Sequence, residues 1–134
     1  MQNLHCDICV IGGGSGGLSV AAGSAQMGAK VVLFEGHRMG GDCLNTGCVP
    51  SKTLLSAAKS AGLSAFDPVS RYADAKTRVR GVIAEIAPHD SVERFEGLGV
   101  QVIKDFGVFQ DAHHVVGGGF CVPTETDEVH VDFW

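Results

Sequence analysis

A cluster of glycines near the start of the chain, Gly12–Gly17 with the sequence GGGSGG, constrains the fold more than any other feature. A short apolar run, Cys6–Ile11, precedes the cluster and is typical of a buried strand. After the cluster, apolar residues recur at helical spacing until Gly28, a natural helix stop. The run KVVLFE, Lys30–Glu35, then predicts a second buried strand. Strand, tight turn, helix and strand in this order indicate a βαβ unit with a parallel sheet.

The glycines follow the pattern G-x-G-x-x-G at Gly12, Gly14 and Gly17. The first permits a tight turn, the second lets a pyrophosphate approach the backbone, and the third lets helix and strand pack closely. The N-terminus of the following helix presents free N–H groups to phosphates. Glu35, at the end of the second strand, can accept hydrogen bonds from ribose hydroxyls. The pattern therefore predicts a dinucleotide site, but it does not by itself separate NAD from FAD.

The rest of the chain predicts two more helical regions and a β-rich end. One helix is expected from the Cys43 region to about Gly62, followed by a break over Ser64–Ser70. A second, amphipathic helix is expected to begin near Asp74 and to end or kink at Pro88. A cap at Asp90 or Ser91 then starts a short helical segment, and Val100–Lys104 predicts a third strand. Further short strands are expected around a Gly117–Gly119 turn, at Val108–Phe109, His114–Val116 and Val129–Phe133.

Composition and charge narrow the function classes. The net charge is −5, and no basic block indicates a nucleic-acid partner. The first ten residues hold His5 and Asp7 where a signal peptide needs an apolar run, and no apolar stretch approaches the ~20 residues that span a bilayer. We therefore expect a cytoplasmic protein with no membrane partner. Its five cysteines should be reduced unless one pair is catalytic.

Cys43 and Cys48 lie in the segment GGDCLNTGCVPSK, residues 40–52. In a regular α-helix, residues five apart are ~7.5 Å apart along the axis, whereas a disulfide needs Cα atoms within roughly 4.4–6.8 Å. A bridge therefore requires an irregular turn, which Asn45 and Gly47 make possible. Lys52 returns to the face of Cys48, so its ammonium and the helix N-terminus should lower the cysteine pKa. The alternative is two ordinary reduced cysteines near a helix start.

The remaining cysteines and histidines are not predicted to form a functional site. Cys6 and Cys9 form C-x-x-C in the first expected strand, where an offset of three puts them on opposite faces. We therefore expect buried structural thiols rather than ligands. Cys121 has no visible partner, and the histidines, of which His113 and His114 fall in an expected hairpin, show no ligand-like spacing. No metal site is predicted.

Three segments, IGGGSGG, VVLFE and above all MGGDCLNTGCVPSK, strongly resemble the pyridine nucleotide-disulfide oxidoreductases. This family includes dihydrolipoamide dehydrogenase, glutathione reductase and mercuric reductase. The resemblance extends from Asp7 to about Lys59 and continues weakly to Val116. Asp42 replaces the threonine common at this place, which indicates a mercuric-reductase-like or dihydrolipoamide-dehydrogenase-like branch.

By resemblance, the dinucleotide is FAD, and Cys43, Cys48 and Lys52 are the catalytic residues. Cys43 would meet the substrate, Cys48 would contact the flavin, and Lys52 would lie near the reactive edge of the isoalloxazine. The residues implied in FAD binding are the glycine turn, the segment after the second strand, the redox segment and one glycine further on: Gly12, Gly14, Ser15, Gly16, Gly17, Glu35, Gly36, His37, Arg38, Gly41, Asp42, Cys43, Gly47, Cys48, Lys52 and Gly107.

The resemblance implies an α/β fold, a Rossmann-like FAD-binding βαβ domain with a parallel sheet and a small antiparallel β meander. Residues 1–134 would form the N-terminal part of this domain. The family's further strand, its NAD(P)-binding domain and its dimerisation domain are not found, and Gly117–Trp134 does not match how the family continues. The complete family protein is expected to be a homodimer.

Three functions follow from these observations. The first is an FAD-dependent, NAD(P)H-linked disulfide oxidoreductase, of which this chain carries only the flavin and dithiol portion. Its substrate would be a small-molecule disulfide, a dithiol or a metal ion. The second is an FAD-binding module or truncated product without turnover. The third is a dithiol protein that works without flavin.

Overall fold

The computed structural model of the chain describes residues 1–61, 67–124 and 129–131. The helices are α1 (Ser15–Gln26), α2 (Gly41–Asn45), α3 (Cys48–Ala61), α4 (Pro68–Ile86) and α5 (Val92–Gly97), with a 3-10 turn at Ala87–Asp90. The strands are β1 (Gln2–Asn3), β2 (Ile8–Ile11), β3 (Val31–Phe34), β4 (Val100–Ile103), β5 (Val108–Asp111), β6 (His114–Gly117), β7 (Phe120–Pro123) and β8 (Val129–Val131). The predicted α/β class is confirmed.

The central layer is a parallel sheet in the order β4-β3-β2-β8. All four residues of β3 are buried, because this strand is covered on both faces. Val31 and Leu33 point to the side of α1 and pack with Leu18 and Phe95. Val32 and Phe34 point to the opposite side, as the two-residue period of a strand requires.

A second sheet covers the opposite face and has the order β1-β7-β6-β5. β5, β6 and β7 form the antiparallel meander, and β1 joins β7 in parallel. Val115 and Val122, both fully buried, pack from this sheet against Phe34 and Ile103. The meander predicted from the sequence is therefore the third layer of the fold.

Two expectations about the strands were wrong. Val129–Val131 pairs in parallel with β2, so the parallel sheet has the fourth strand that the sequence analysis did not find. These residues were expected among the short strands around the meander, because three residues carry no periodicity that distinguishes the two sheets. β1 and β7 were not predicted at all. Residues 132–134, the end of the expected strand, lie outside the described residues.

The long amphipathic helix also begins earlier than expected. α4 starts at Pro68 rather than near Asp74, because the Asp67 carboxylate accepts hydrogen bonds from the backbone N–H groups of Val69 (3.2 Å) and Ser70 (3.3 Å). Asp67-Pro68 is thus a helix cap followed by proline at the first helical position, not a break. Residues 62–66, which include the start of the expected break, lie outside the described residues.

The end of α4 and the start of α5 agree with the predictions from the sequence. α4 ends at Ile86, two residues before Pro88, and Ser91 caps α5 by accepting a hydrogen bond from the Arg94 N–H (3.2 Å). No helix among the described residues has the length and apolar character needed to cross a membrane.

The expected orientation of Cys6 and Cys9 was wrong. Strand β2 begins at Ile8, so Cys6 lies before it and does not follow the alternation of a strand. Cys9 is buried on the meander side of the sheet, and half-buried Cys6 packs against the same cluster. Both thiols therefore lie on one side of the parallel sheet.

Candidate functional site

The glycine turn joins β2 to α1 at the carboxyl end of the parallel sheet. Gly12 has a φ of +104° and donates its N–H to the Phe34 carbonyl (2.8 Å), which ties the turn to the end of β3. A Cβ at Gly17 would lie 1.9 Å from the Gly12 carbonyl oxygen. The third glycine of the pattern therefore lies where helix and turn approach too closely for any side chain.

The Glu35 carboxylate fixes the shape of this turn. Its Oε2 accepts a hydrogen bond from the Gly13 N–H and its Oε1 accepts one from the His37 N–H, both at 2.6 Å. The side chain is only 8% exposed. Glu35 thus connects the glycine turn to the loop after β3, and each carboxylate oxygen keeps a further lone pair for a ligand.

A groove of about 550 Å³ begins beside Glu35. Its walls are the loop after β3 and one face of α2, with the residues Glu35, Gly36, His37, Arg38, Gly41, Asp42, Asn45 and Thr46. The Lys104 ammonium donates a hydrogen bond to the His37 carbonyl (3.0 Å). The Phe106 ring packs edge-on against the His37 imidazole, with 4.9 Å between the ring centroids. The end of β4 therefore braces the loop that lines the groove.

A second groove, of about 320 Å³, adjoins the first at Asp42, which lines both. Its other lining residues are Gly14, Ser15, Cys43, Gly47 and Cys48. The turn and α2 meet closely here, since a Cβ at Gly41 would lie 2.8 Å from the Gly14 Cα. The two grooves join the Glu35 end of the site to the two thiols.

Five of the predicted site residues line neither groove: Gly12, Gly16, Gly17, Lys52 and Gly107. Gly12 and Gly17 shape the turn from within, as described above. Gly107 lies against Phe34, where a Cβ would be 2.9 Å from the ring. Its neighbour Phe106 packs over Gly36, which lines the first groove, so Gly107 is adjacent to the site rather than part of its wall.

The predicted irregular turn between Cys43 and Cys48 is present. α2 ends at Asn45, α3 starts at Cys48, and the N–H groups of both Thr46 and Gly47 converge on the Asp42 carbonyl, at 2.9 and 2.5 Å. A Cβ at Gly47 would lie 2.9 Å from that carbonyl oxygen. The interruption allows the two thiols to interact, which a continuous helix would prevent.

The expected direction of the pKa shift was wrong for Cys43. The hydrogen bond that its thiol makes with Cys48 raises the pKa of Cys43, and burial and the negative charge on Cys48 raise it further. The Lys52 ammonium lowers this pKa, as predicted, but it is a weaker influence. The sequence shows the helix N-terminus and Lys52, but it does not show the interaction with Cys48 that sets the direction of this shift.

This arrangement predicts the effect of removing the Lys52 charge. In Lys52→Gln, the pKa of Cys43 should rise further, because the cation that favours its thiolate is gone. Alkylation of Cys43 by iodoacetamide, followed against pH by tandem mass spectrometry, should therefore begin at higher pH than in the wild type. Lys59→Gln on the same helix is the control and should leave the profile unchanged. Identical profiles for Lys52→Gln and wild type would show that the ammonium does not act on this thiol.

Three residues that support the site were not predicted, namely Thr46, Lys104 and Phe106, and Asn45 was predicted only as part of the irregular turn. The Asn45 amide donates to the Gly41 carbonyl (2.8 Å), and the Thr46 hydroxyl donates to the Asp42 carboxylate (2.9 Å). The two partners of each contact are four residues apart in GDCLNT, a spacing that brings residues together on one face of a helix. Lys104 and Phe106 follow β4, whose carboxyl end lies beside that of β3 because the strands are parallel.

Among the described residues, no group of three or more His, Cys, Asp or Glu side chains is arranged to hold a metal ion.

Comparison with known proteins agrees with this geometry. The sequence profile of the pyridine nucleotide-disulphide oxidoreductases matches residues 6–126, so this chain belongs to that family. The match also corrects the expectation that the family likeness ends near Val116. The chain is 34% identical over 111 residues to a dihydrolipoyl dehydrogenase of Zymomonas mobilis, covering 71% of this chain and 24% of that protein. It is 52% identical over 58 residues to a glutathione reductase of Yarrowia lipolytica, covering 43% of this chain and 12% of that protein.

A solved structure shares the fold. The Cu(II) complex of RclA, an HOCl-induced flavoprotein disulfide reductase from Escherichia coli, superimposes with a TM-score of 0.76 over 93% of this chain and 27% of that chain. The sequences are 23% identical, so this likeness shows the fold alone. The chain spans about a quarter of the length of the Zymomonas and Escherichia proteins. The likeness to mercuric reductase stays a prediction.

Proposed function

We propose that this chain binds FAD and carries the redox-active pair Cys43–Cys48 of an NAD(P)H-linked disulfide oxidoreductase of the dihydrolipoamide dehydrogenase or mercuric reductase kind. One observation supports this most strongly. Two grooves that meet at Asp42 run from the Glu35 carboxylate past the glycine turn to the two thiols. A dinucleotide placed along them would have its ribose end at Glu35 and its other end at the cysteines.

The residues present fit FAD. The two grooves, of about 550 and 320 Å³, lie in the range of known cofactor sites. The N-cap of α1 is Gly14, which has no side chain to compete for the helix N-terminus, and no acidic residue lies in its first turn. A pyrophosphate would therefore meet backbone N–H groups and the positive end of the helix dipole. Bound FAD would accept electrons from NAD(P)H and pass them to the cysteine pair.

The two cysteines lie in different surroundings, which supports different roles. Both line the second groove, but Cys43 also lines another pocket of about 400 Å³, with Leu18, Ile86 and Phe95 among its walls, and Cys48 does not. We assign Cys43 to the substrate and Cys48 to the flavin on this basis. The Lys52 ammonium partly offsets the hydrogen bond with Cys48 and the burial that raise the pKa of Cys43.

The dithiol chemistry balances without another reactant when the substrate is a disulfide. The Cys43 thiolate attacks one sulfur of the substrate, forming a mixed disulfide and releasing the first thiol. Cys48 then attacks the Cys43 sulfur, releasing the second thiol and leaving a Cys43–Cys48 disulfide. The substrate gains two electrons and the cysteine pair loses two. A dithiol substrate would run the same steps in reverse.

The partner and the location of the whole protein belong to the same proposal. The substrate would be a small-molecule disulfide, a dithiol or a metal ion, and the protein would act in the cytoplasm. A homodimer is supported by the large apolar side chains that α3 and α4 leave exposed, among them Leu55 (71%) and Tyr72 (63%). Exposed apolar patches of this kind are typical of protein interfaces.

Cofactor binding is the direct test. We expect the purified chain to be yellow, or to become so on refolding with FAD, and we expect FAD to raise the melting temperature more than NAD does. Gly14→Val should abolish this stabilisation, because its side chain would block the approach of the pyrophosphate. Equal or greater stabilisation by NAD would contradict the assignment of FAD.

The two alternatives predict different results in the same sample. A flavin-binding module without a redox role would bind FAD, but chemically reduced FAD in its site would not reduce the Cys43–Cys48 disulfide. A dithiol protein that works without flavin would exchange thiols in a colourless sample. Mass spectrometry of the oxidised chain should show the Cys43–Cys48 linkage under the proposed function, and its absence would rule out both dithiol functions.

A further inference from the structure

Cys6 and Cys9 are placed together on the face of the parallel sheet that the meander covers. Cys9 lies on β2 and is 2% exposed, and it belongs to the buried cluster of Val32, Phe34 and Val122. Cys6 packs against this cluster from the segment before β2 and is half-buried, so part of it reaches solvent. Neither residue lines the grooves of the proposed flavin site.

The two thiols interact directly. The Cys9 thiol donates a hydrogen bond to the Cys6 sulfur and, as the strongest influence, lowers the pKa of Cys6. A hydrogen bond with the Val32 backbone also lowers it, while burial and the Asp7 charge act in the opposite direction. The pKa of Cys9 is raised by the same hydrogen bond, by burial and by the charge on Cys6. The outer thiol is thus the acidic one and the inner thiol is held protonated beside it.

We propose that Cys6 and Cys9 form a second dithiol, separate from Cys43 and Cys48, which small-molecule disulfides oxidise to a Cys6–Cys9 disulfide. Two observations carry this: the packing of both side chains on one cluster, and the access of solvent to Cys6 but not to Cys9. The opposite pKa shifts of the two thiols support it. The bond would link the segment that follows β1 of the meander sheet to β2 of the parallel sheet.

The order of steps follows from exposure and charge. The Cys6 thiolate attacks the incoming disulfide, forms a mixed disulfide and releases one thiol. Two of the causes that raise the pKa of Cys9, the hydrogen bond and the charge of Cys6, disappear at this point. Cys9 then loses its proton and attacks the Cys6 sulfur, which releases the second thiol. The small molecule is reduced to two thiols, and the cysteine pair is oxidised by two electrons.

The test uses the full chain with Cys43→Ser and Cys48→Ser, which leaves three cysteines and makes the result independent of the proposed function. The folded protein is treated with glutathione disulfide, quenched with acid, and its remaining thiols are alkylated in denaturant. We expect a Cys6–Cys9 linkage by mass spectrometry, no lasting glutathione adduct, and alkylation of Cys121 alone. The wild-type chain, mapped in the same way, should show the same linkage.

Single replacements separate the two roles. With Cys9→Ser added, Cys6 should keep a glutathione adduct, because no second thiol resolves it. With Cys6→Ser added, Cys9 should stay unmodified in the folded protein and react in denaturant. Circular dichroism checks that each variant is folded. A lasting adduct on Cys6 while Cys9 is present, a Cys6–Cys121 linkage, or reaction of Cys6 no faster than Cys121 would each overturn the proposal.

Discussion

Replacing Gly17 by alanine is expected to destabilise the fold by about 3 kcal/mol, the upper part of the usual range for overpacking. The Cβ of alanine would lie 1.9 Å from the Gly12 carbonyl oxygen and 3.2 Å from a methyl group of Val10. Both neighbours are fixed, since Gly12 belongs to the tight turn and Val10 is fully buried. The first turn of α1 must therefore move away from β2, and the opening of the dinucleotide site would change with it.

Gly23→Ala in the same helix is the matched control. Gly23 is exposed in α1, and a Cβ there would meet nothing within 4 Å. Alanine should therefore stabilise the protein by roughly 0.5–1 kcal/mol, through its higher helix propensity. Urea denaturation of both variants and the wild type measures the two effects. A Gly17→Ala variant as stable as Gly23→Ala would show that the turn and helix are not held as closely as described.

Much of the fold follows from local sequence, because its main elements carry local signals. The apolar run before the glycines, the helical spacing up to Gly28 and the run KVVLFE predicted β2, α1 and β3 to within a few residues. Strand β7, and the sheet to which β8 belongs, could not be predicted in the same way. β8 has three residues and is held by pairing with β2, more than a hundred residues earlier, and such pairing is not visible in a local pattern.

The candidate site also has features that local sequence predicts and features that it does not. Cys43, Cys48 and the interruption between them were predictable because spacing and helix geometry require an irregular turn. The direction of the Cys43 pKa shift was not, because it depends on a contact between two thiols rather than on the helix and Lys52. The face of Cys6 was mispredicted for a similar reason: β2 begins at Ile8 rather than at Cys6, and a residue outside a strand does not follow its alternation of faces.

Glu35→Gln is the second change for which we expect a large effect, because this carboxylate holds the site together before any ligand binds. Its two oxygens accept short hydrogen bonds from the Gly13 and His37 N–H groups, and it is nearly buried. Glutamine has the same shape but only one oxygen, so its amide N–H₂ would face one of these two donors. Loss of one hydrogen bond to a charged group, with a buried donor left unpaired, should cost about 1.5–3 kcal/mol.

The same substitution should weaken FAD binding, since it releases either the glycine turn or the loop at His37 and removes an acceptor for the ribose hydroxyls. Two measurements are needed: urea denaturation without ligand, and FAD affinity by quenching of flavin fluorescence. Glu96→Gln, at an exposed position near the end of α5, makes the same chemical change away from the site and should alter neither. If Glu35→Gln lowers FAD affinity but leaves stability unchanged, the carboxylate acts on the ligand alone and does not hold the turn. If stability falls and FAD affinity stays the same, the Glu35 end of the first groove is not where the ribose binds.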